Sequence, residues 1–489
     1  MTTLAELDRV LERIGQVHVF CIGDIMLDRF IYGAVDRISP EAPIPVFVAE
    51  REERMLGGAG NVVRNLMSLG AQASFAAVLG DDGVGNHMTS LVGAEENLVP
   101  YLMTERGRIS TQKTRYVAAG QHLLRTDRET REPLRAETVS KILDLTLPEL
   151  ASHQAIILSD YGKGTLTPAL CQRVIAEAKR IGVPVFVDPK QRDVSVYAGA
   201  TVLSPNLREL ALAFGVDHFV NDEAIIAAAS TLARTHQFQY VLTTRGEQGM
   251  TLVDAQGLVL HVDAAAQQVF DVSGAGDTVI ATLAATYAAG APMPMAAELA
   301  NLAAGIVVGR LGTAVVHRSD LTTALYTHRA ATLQRKILPM ETACDMVANW
   351  RRDGLSVGFT NGCFDIMHAG HISLLAAARA KCDKLIVGLN TDSSVRALKG
   401  PSRPINAEMD RAQVLAALAT VDAVVLFNED TPLALIQALK PDVLMKGADY
   451  SRETVVGAEV VEAYGGRVEL LPLKEGYSTS GIVDKISAG

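Results

Sequence analysis

Short apolar runs rich in β-branched residues recur along this chain, each followed by a stretch with helical periodicity, and the series stops once and then restarts. The first series contains VHVFCIG (17–23), AIILSDY (155–161), VPVFVD (183–188) and YVLTT (240–244). Strands that alternate with helices are joined by crossovers, so the pattern predicts parallel sheets with helices packed on their faces. After Arg318 a polar, helical stretch runs through Trp350, and a second series begins at LSVGFTNG (355–362) and continues through KLIVGLN, AVVLFN and VLMKGAD. Two series imply two cores, and 489 residues leave room for both at roughly 150 residues per domain. The reading is an α/β chain of two domains, 1–330 and 355–489, with a helical connector over 331–354. No internal repeat relates the halves.

Two segments fall outside the strand–helix rhythm. IPVFVAE (44–50) and the pair QKTRYVAA and HLLRTDRE around Gly120 read as hairpin strands apart from the main sheet, forming a small lid. Their sheet edges and apolar faces predict pairing of two copies through that lid. The most apolar stretch, Thr278 to Gly309, is cut by GAPMP (290–294) into pieces short of the ~20 residues a membrane span needs. It reads as two buried helices, and no membrane association is expected.

The net charge of −10 speaks against an extended nucleic-acid surface, which requires clustered Lys and Arg. Five scattered cysteines, without a Cys-x-x-Cys pair, read as reduced thiols of a cytoplasmic protein. Met1 to Glu6 lacks the basic and apolar parts of a signal peptide.

The chemistry concentrates in two places. In DVSGAGDT (271–278), Gly274, Ala275 and Gly276 precede an apolar helix, so backbone N–H groups can turn inward to hold an anion, and Asp277 at the mouth can take a proton from an attacking hydroxyl. The plainer alternative makes Asp277 a helix cap. GDIMLD (23–28) sets Asp24 and Asp28 just after the first strand, where ligands of open α/β sheets bind. GGAGN (57–61) opens a helix, with Gly57 and Gly58 allowing close approach and Asn61 offering an amide.

Residues 10–320 resemble the ribokinase-like (PfkB) carbohydrate kinases, whose two signatures match GGAGNVVRNLMSLG and DVSGAGDTVIATL. The resemblance implies that Asp277 is the general base, that Gly274 to Gly276 form an anion hole, and that Asp24, Asp28, Gly57, Gly58 and Asn61 contact a sugar. SPNLREL (204–210) is similar to the family's Asn-x-x-Glu element. It implies that Asn206, Leu207, Arg208 and Glu209 lie at ATP, with Asn206 and Glu209 holding Mg2+ through water. TTRGEQG (243–249) resembles the nucleotide turn, with Thr244, Gly246 and Gly249 facing ATP; read alone it is a hairpin turn. Lys163, Lys190, Arg115 and Arg125 are candidates to grip a phosphate already on the substrate, or else surface ion-pair partners.

In the second half, SVGFT leads into NGCFDIMHAGH, where His368 and His371 bracket Gly370 at a helix start. Two imidazoles and a helix N-terminus suit the charge that develops on an α-phosphate and a departing pyrophosphate. Cys363 has no evident catalytic partner and reads as packing. Residues 355–489 resemble the cytidylyltransferase-like nucleotidyltransferases, which implies nucleotide contacts from Phe364, Gly370, Lys399, Arg403, Lys446, Ser478, Thr479 and Ser480. Class I aminoacyl-tRNA synthetases also use His-x-Gly-His, but no KMSKS-like segment follows and the domain is short.

The expected fold is therefore α/β in two domains, a ribokinase-like domain with a small β lid followed by a Rossmann-like His-x-Gly-His nucleotidyltransferase domain. A kinase that acts on an anomeric hydroxyl makes a sugar 1-phosphate, the type of acceptor a nucleotidyltransferase consumes. This order resembles a bacterial family of bifunctional heptose 7-phosphate kinases and heptose 1-phosphate adenylyltransferases. The resemblance implies ATP as co-substrate of both steps, Mg2+ as cofactor and sugar phosphates as the other ligands. The residues alone leave the sugar and the nucleobase open, and a non-enzymatic sensor of sugar or nucleotide is the remaining alternative.

Overall fold

In the computed structural model the described residues are 4–489, except 266–268, 270, 311, 313, 326–335, 353, 449–450 and 473–489. The chain divides into two compact units, Met1–Leu325 and Tyr326–Gly489.

The first unit is built on a nine-stranded sheet. Seven strands are parallel, in the spatial order Leu98–Glu105, Gln72–Gly80, His18–Gly23, Ala155–Ser159, Val185–Asp188, Val202–Leu203 and Tyr240–Thr244. Met250–Asp254 and Val259–Val262 extend it antiparallel. The central strands are continuous apolar runs because both faces are covered, as the burial of every residue of Ala155–Ser159 shows. One face carries the helices Ala59–Ser68, Ala275–Ala288 and Met293–Val307, and the other carries Pro168–Ile181 and Asp222–His236. The apolar stretch 278–309 is thus two buried helices, and among the described residues no helix is long and apolar enough to cross a membrane.

Strand order reverses at His18–Gly23, whose successor in sequence lies on one side and Ala155–Ser159 on the other. Loops leaving the carboxyl ends of these two strands diverge and open a crevice, the usual ligand position in such sheets. Asp24 and Asp160 to Thr165 occupy it.

The lid is larger than the sequence suggested. Directly after Asp24 the chain enters Ile25–Ile38, which pairs antiparallel with Pro45–Gly58 and parallel with Gln112–Ala118, and Gln121–Arg128 completes a separate four-stranded sheet. Period-2 alternation is weak here because the strands are long, charged and mostly exposed towards their tips.

The second unit is a six-stranded, wholly parallel sheet. Five of its strands follow the order Ala423–Phe427, Lys384–Asn390, Val357–Gly362, Val443–Gly447, Arg467–Leu471, so that order reverses beside Val357–Gly362. The sixth strand, Ile337–Leu338, comes from the stretch read as a connector. It pairs with Ala423–Phe427, and the following helix Met340–Arg352 buries Ala343 and Val347 in the same core. In its described part, then, 331–354 is a strand and helix of the second unit; their polar outer faces gave the stretch its linker-like composition.

Candidate active sites

In the first unit the site assembles around a buried carboxylate. Gly274, at φ 80°, is a left-handed turn that a side chain would strain, and it starts the helix Ala275–Ala288. Asp277 falls in the first turn of that helix but does not cap it: the side chain is 3% exposed and accepts from Asn61 Nδ2 at 2.8 Å and from the Tyr161 hydroxyl. Burial pushes its pKa up to about 6, against the two donors, which pull it down. A carboxyl poised near neutrality is suited to general-base work. Tyr161, in turn, is held well above the usual phenol range by burial and the neighbouring carboxylate, so it remains a donor.

The amide of Asn61, an expected sugar contact, donates to Asp277. Asn65, one turn on, locks the helices together, donating to Asn61 O at 2.9 Å and accepting from Thr278 Oγ1 at 3.1 Å. Asp24 likewise has a framework task, because its carboxylate accepts from the backbone N–H groups of Tyr161 and Lys163 at 2.9 Å and of Thr165 at 3.0 Å. It therefore shapes the loop that presents Tyr161. Asp28 lies on the lid, ion-paired with Arg115, and Gly57 must lack a side chain because a Cβ there would meet Asp28 Oδ2 at 2.0 Å. Gly58 and Asp24 meet through the Ala59 N–H, which donates to Asp24 O at 3.0 Å.

Beside Asp277 opens a cavity of about 170 Å3 lined by Asp160, Tyr161, Asp188, Lys190, Asn206, Glu209, Thr244 and Gly276, among others. Of the expected ATP residues it gathers Asn206, Glu209 and Thr244. Asn206 and Glu209 form a reciprocal cap, with Oδ1 accepting from Glu209 N at 2.9 Å and Glu209 Oε2 accepting from Asn206 N at 3.1 Å, and Glu209 also pairs with Lys190 at 2.9 Å. Cap and cavity wall are thus the same residues. Asp188 is driven well above the ordinary carboxylate range, first by burial and then by Glu209 and Asp277. Leu207 and Arg208 face a different, larger cavity of about 460 Å3 with Asp222 and Gln248. Gly246 and Gly249 bound the hairpin turn after Thr244. Ala275 N–H donates to Val272 O at 3.3 Å, so of the expected anion hole it is Gly276 that lines the cavity.

In the second unit, the turn after Val357–Gly362 places Phe364 in a left-handed conformation, φ 43°, with its ring 5.1 Å from that of His371. His368 stands at the start of the helix Ala369–Arg379, with Gly370 buried in its first turn, and stacks on His371 at 3.9 Å between ring centroids. Burial lowers both histidines; His371 reaches about 4, helped by the charges of His368 and Lys399. At neutral pH they are neutral N–H donors rather than fixed charges. Lys446 Nζ donates to Asn361 O at 3.1 Å from the neighbouring strand, at the order reversal. Arg403 is ion-paired with buried Asp365, whose other oxygen accepts from Ile405 N at 2.7 Å. Cys363 is half-buried, 3.8 Å from Asn390 Oδ1. Ser478, Thr479 and Ser480 lie outside the described residues.

Sequence reasoning missed Tyr161, Asn65, Asp188 and Arg411. The guanidinium of Arg411, 1% exposed, donates to the carbonyls of Asn406 (3.0 Å), Cys363 (2.6 Å) and Asn390 (2.9 Å) and to Asp392 (2.7 Å). It ties three loops of the site together. Its only sequence signal was a charge on an apolar helix face.

Fold and site together define a sugar kinase joined to a nucleotidyltransferase. Residues 16–318 match the pfkB family carbohydrate kinases and residues 359–483 the cytidylyltransferase-like family. The chain is 52% identical over its whole length, and that of its relative, to the bifunctional protein HldE of Paramagnetospirillum magneticum, and 50% identical to that of Rhodospirillum rubrum over 99% and 97% of the two chains. It belongs to the bifunctional HldE family. The first unit also shares its fold with phosphofructokinase-2 of Escherichia coli (TM-score 0.53, 18% identity, 63% of this chain and 99% of that one) and with ribokinase of Giardia lamblia (0.52, 19%, 63% and 99%).

If Asp277 serves as the base, its pKa near 6 would give the kinase reaction a defined pH dependence, since only the ionised carboxylate accepts a proton. Its kcat/KM should rise through about pH 6 to a plateau. A steady-state profile that is flat from about pH 5 to 8 would remove Asp277 from that role.

Proposed function

We propose that this chain catalyses two steps of ADP-heptose synthesis. In the first, ATP phosphorylates C1 of D-glycero-β-D-manno-heptose 7-phosphate; in the second, after removal of the 7-phosphate by a separate phosphatase, ATP and the heptose 1-phosphate give ADP-heptose and pyrophosphate. The observation that carries the kinase reading is Asp277, buried, raised in pKa and held by Asn61 and Tyr161 beside a phosphate-sized cavity. Asp277 takes the proton of the C1 hydroxyl as its oxygen bonds to the γ-phosphorus of ATP and the bond to ADP breaks. The helix start at Gly274 to Gly276 faces the charge on the transferring group.

In the second step an oxygen of the sugar 1-phosphate attacks the α-phosphorus, and pyrophosphate departs. His368 and His371 donate N–H groups to the phosphates, with Lys399, Arg403 and Lys446 supplying positive charge around the nucleotide. Lys399 is near enough for its charge to lower the pKa of His371. Ser478, Thr479 and Ser480 complete the phosphate contacts in this reading.

Mg2+ fits the kinase cavity as an ion held by phosphate and water. The oxygens of Asp188, Asn206 and Glu209 are hard donors suited to it, whereas among the described residues no group of three His, Cys, Asp or Glu side chains is arranged to hold an ion alone. When bound, it would neutralise charge on the β- and γ-phosphates. Use of ATP in both steps supports a cytoplasmic enzyme, whose ADP-heptose would feed the inner core of lipopolysaccharide. The kinase lies in residues 1–330, and the transferase in the remainder with its amino-terminal strand and helix.

Because the two sites stand on separate cores, single substitutions should separate the activities. Asp277→Asn should abolish heptose 7-phosphate phosphorylation, read as ADP formation, and leave pyrophosphate release from heptose 1-phosphate near normal; His368→Ala should do the reverse. Loss of both activities in either folded variant would contradict the two-site reading.

The lid also supports a homodimer. It exposes Val35, Ile38, Ile44, Val48, Leu123 and Leu124, with Ile38 at 63%, more apolar surface than a small sheet ordinarily leaves in water. The chain should sediment as a dimer at micromolar concentration, and Ile38→Glu with Leu124→Glu should yield monomers. A monomeric parent protein would overturn pairing through the lid.

A further inference from the structure

We propose that Lys113, on the lid, receives the phosphate that the kinase substrate already carries, and so sets the preference for a sugar phosphate over the free sugar. This rests on the kinase reading above and names a residue within that site.

Lys113 stands on the strand Gln112–Ala118, directly opposite Asp28 in the parallel pairing of the lid. Its ammonium lies 5.7 Å from the centroid of the Tyr161 ring, and the Tyr161 hydroxyl donates to Asp277. One aromatic side chain therefore separates the base from the lysine. A sugar whose reacting hydroxyl faces Asp277 can direct a phosphate at the far end of its carbon chain past Tyr161 to Lys113.

The surrounding charges distinguish Lys113 from the other cations. Arg115 is paired with Asp28, Lys163 with Glu129 at 2.6 Å, and Arg125 with Asp127 at 3.0 Å. Glu129 is shared with Arg131 at 3.0 Å. Among the described residues no carboxylate lies within ion-pair distance of Lys113. Five cations, Lys113, Lys163, Arg115, Arg125 and Arg131, thus stand among three carboxylates, Asp28, Asp127 and Glu129, and Lys113 is the one of the five without an ion-pair partner among the described residues. A half-buried surplus charge is unfavourable until an anion reaches it. Burial lowers the pKa of Lys113; Asp28 counteracts this, and the like charges of Lys163, Arg115 and Arg125 add to it.

Each of the four cations singled out in the sequence already has a carboxylate partner, so a phosphate there must share the cation with that carboxylate or exchange for it. Arg115 and Lys163 are also largely enclosed, with side chains 10% and 12% exposed. Lys113 needs no such exchange. Its contact would be charge-assisted and made equally in the ground and transition states, so its loss should appear in KM.

The test uses the full chain with Lys113→Met and Lys113→Arg, each assayed for phosphorylation of D-glycero-β-D-manno-heptose 7-phosphate and of the unphosphorylated heptose. Lys113→Met should raise KM for the 7-phosphate roughly ten- to hundredfold, with kcat, the KM for ATP and use of the free heptose nearly unchanged. Lys113→Arg should keep most of the preference. An unchanged kcat with the free heptose monitors the integrity of the kinase unit. Equal losses on both sugars, an unaltered preference in Lys113→Met, or a Lys113→Arg enzyme as indiscriminate as Lys113→Met would overturn the role of Lys113. A wild type that does not prefer the 7-phosphate would instead overturn the substrate reading, and with it the phosphate that Lys113 serves.

Discussion

The kinase unit depends on keeping one carboxylate out of water and still ionisable. Burying a carboxylate costs several kcal/mol unless donors replace its hydration, and an ordinary core would expel it or leave it protonated. Asp277 has two donors, and each requires a separate piece of the fold. Asn61 comes from the helix Ala59–Ser68, which Asn65 pins to the helix of Asp277 itself through Thr278. Tyr161 comes from the loop after Ala155–Ser159, which Asp24 gathers by three backbone hydrogen bonds. The reversal of strand order at His18–Gly23 opens the space for that loop. Asp24 and Asn61, expected from the sequence at a sugar, also form part of the scaffold around Asp277.

The second unit solves the opposite problem. Burial lowers the pKa of its stacked histidines, and among the charged groups it buries is the cation Arg411. Three carbonyls and one carboxylate satisfy it, and they belong to the turn of Cys363, the end of Lys384–Asn390 and the loops that follow. A buried guanidinium paired in this way resists removal, because deleting it strands its partners. It holds the turn in which Phe364 takes its left-handed conformation and sets His371 against that ring.

Much of this was legible in the sequence. Apolar β-branched runs marked the central strands of both sheets, since strands covered on both faces carry no polar interruptions. The glycine-rich turns before Asp277 and around Gly370 marked both sites. Less legible were groups whose role depends on residues far away in the chain: Tyr161 meets Asp277 across 116 positions, and Arg411 meets Cys363 across 48. Spacing rules cannot see such pairs. The connector was misjudged for another reason, since the short edge strand Ile337–Leu338 and a helix with a polar outer face carry little apolar signal. The lid was underestimated because exposed, charged strands lack alternation.

Burial against Asn61 and Tyr161 sets the ionisation of Asp277, and Tyr161→Phe isolates one of the two donors. The substitution keeps the ring and removes only the hydroxyl that stabilises the carboxylate. The midpoint of the kinase kcat/KM profile should move to higher pH, above the wild-type value near 6, while adenylyl transfer keeps its own profile. A midpoint that stays in place or moves to lower pH would mean that the Tyr161 hydroxyl does not stabilise the Asp277 carboxylate.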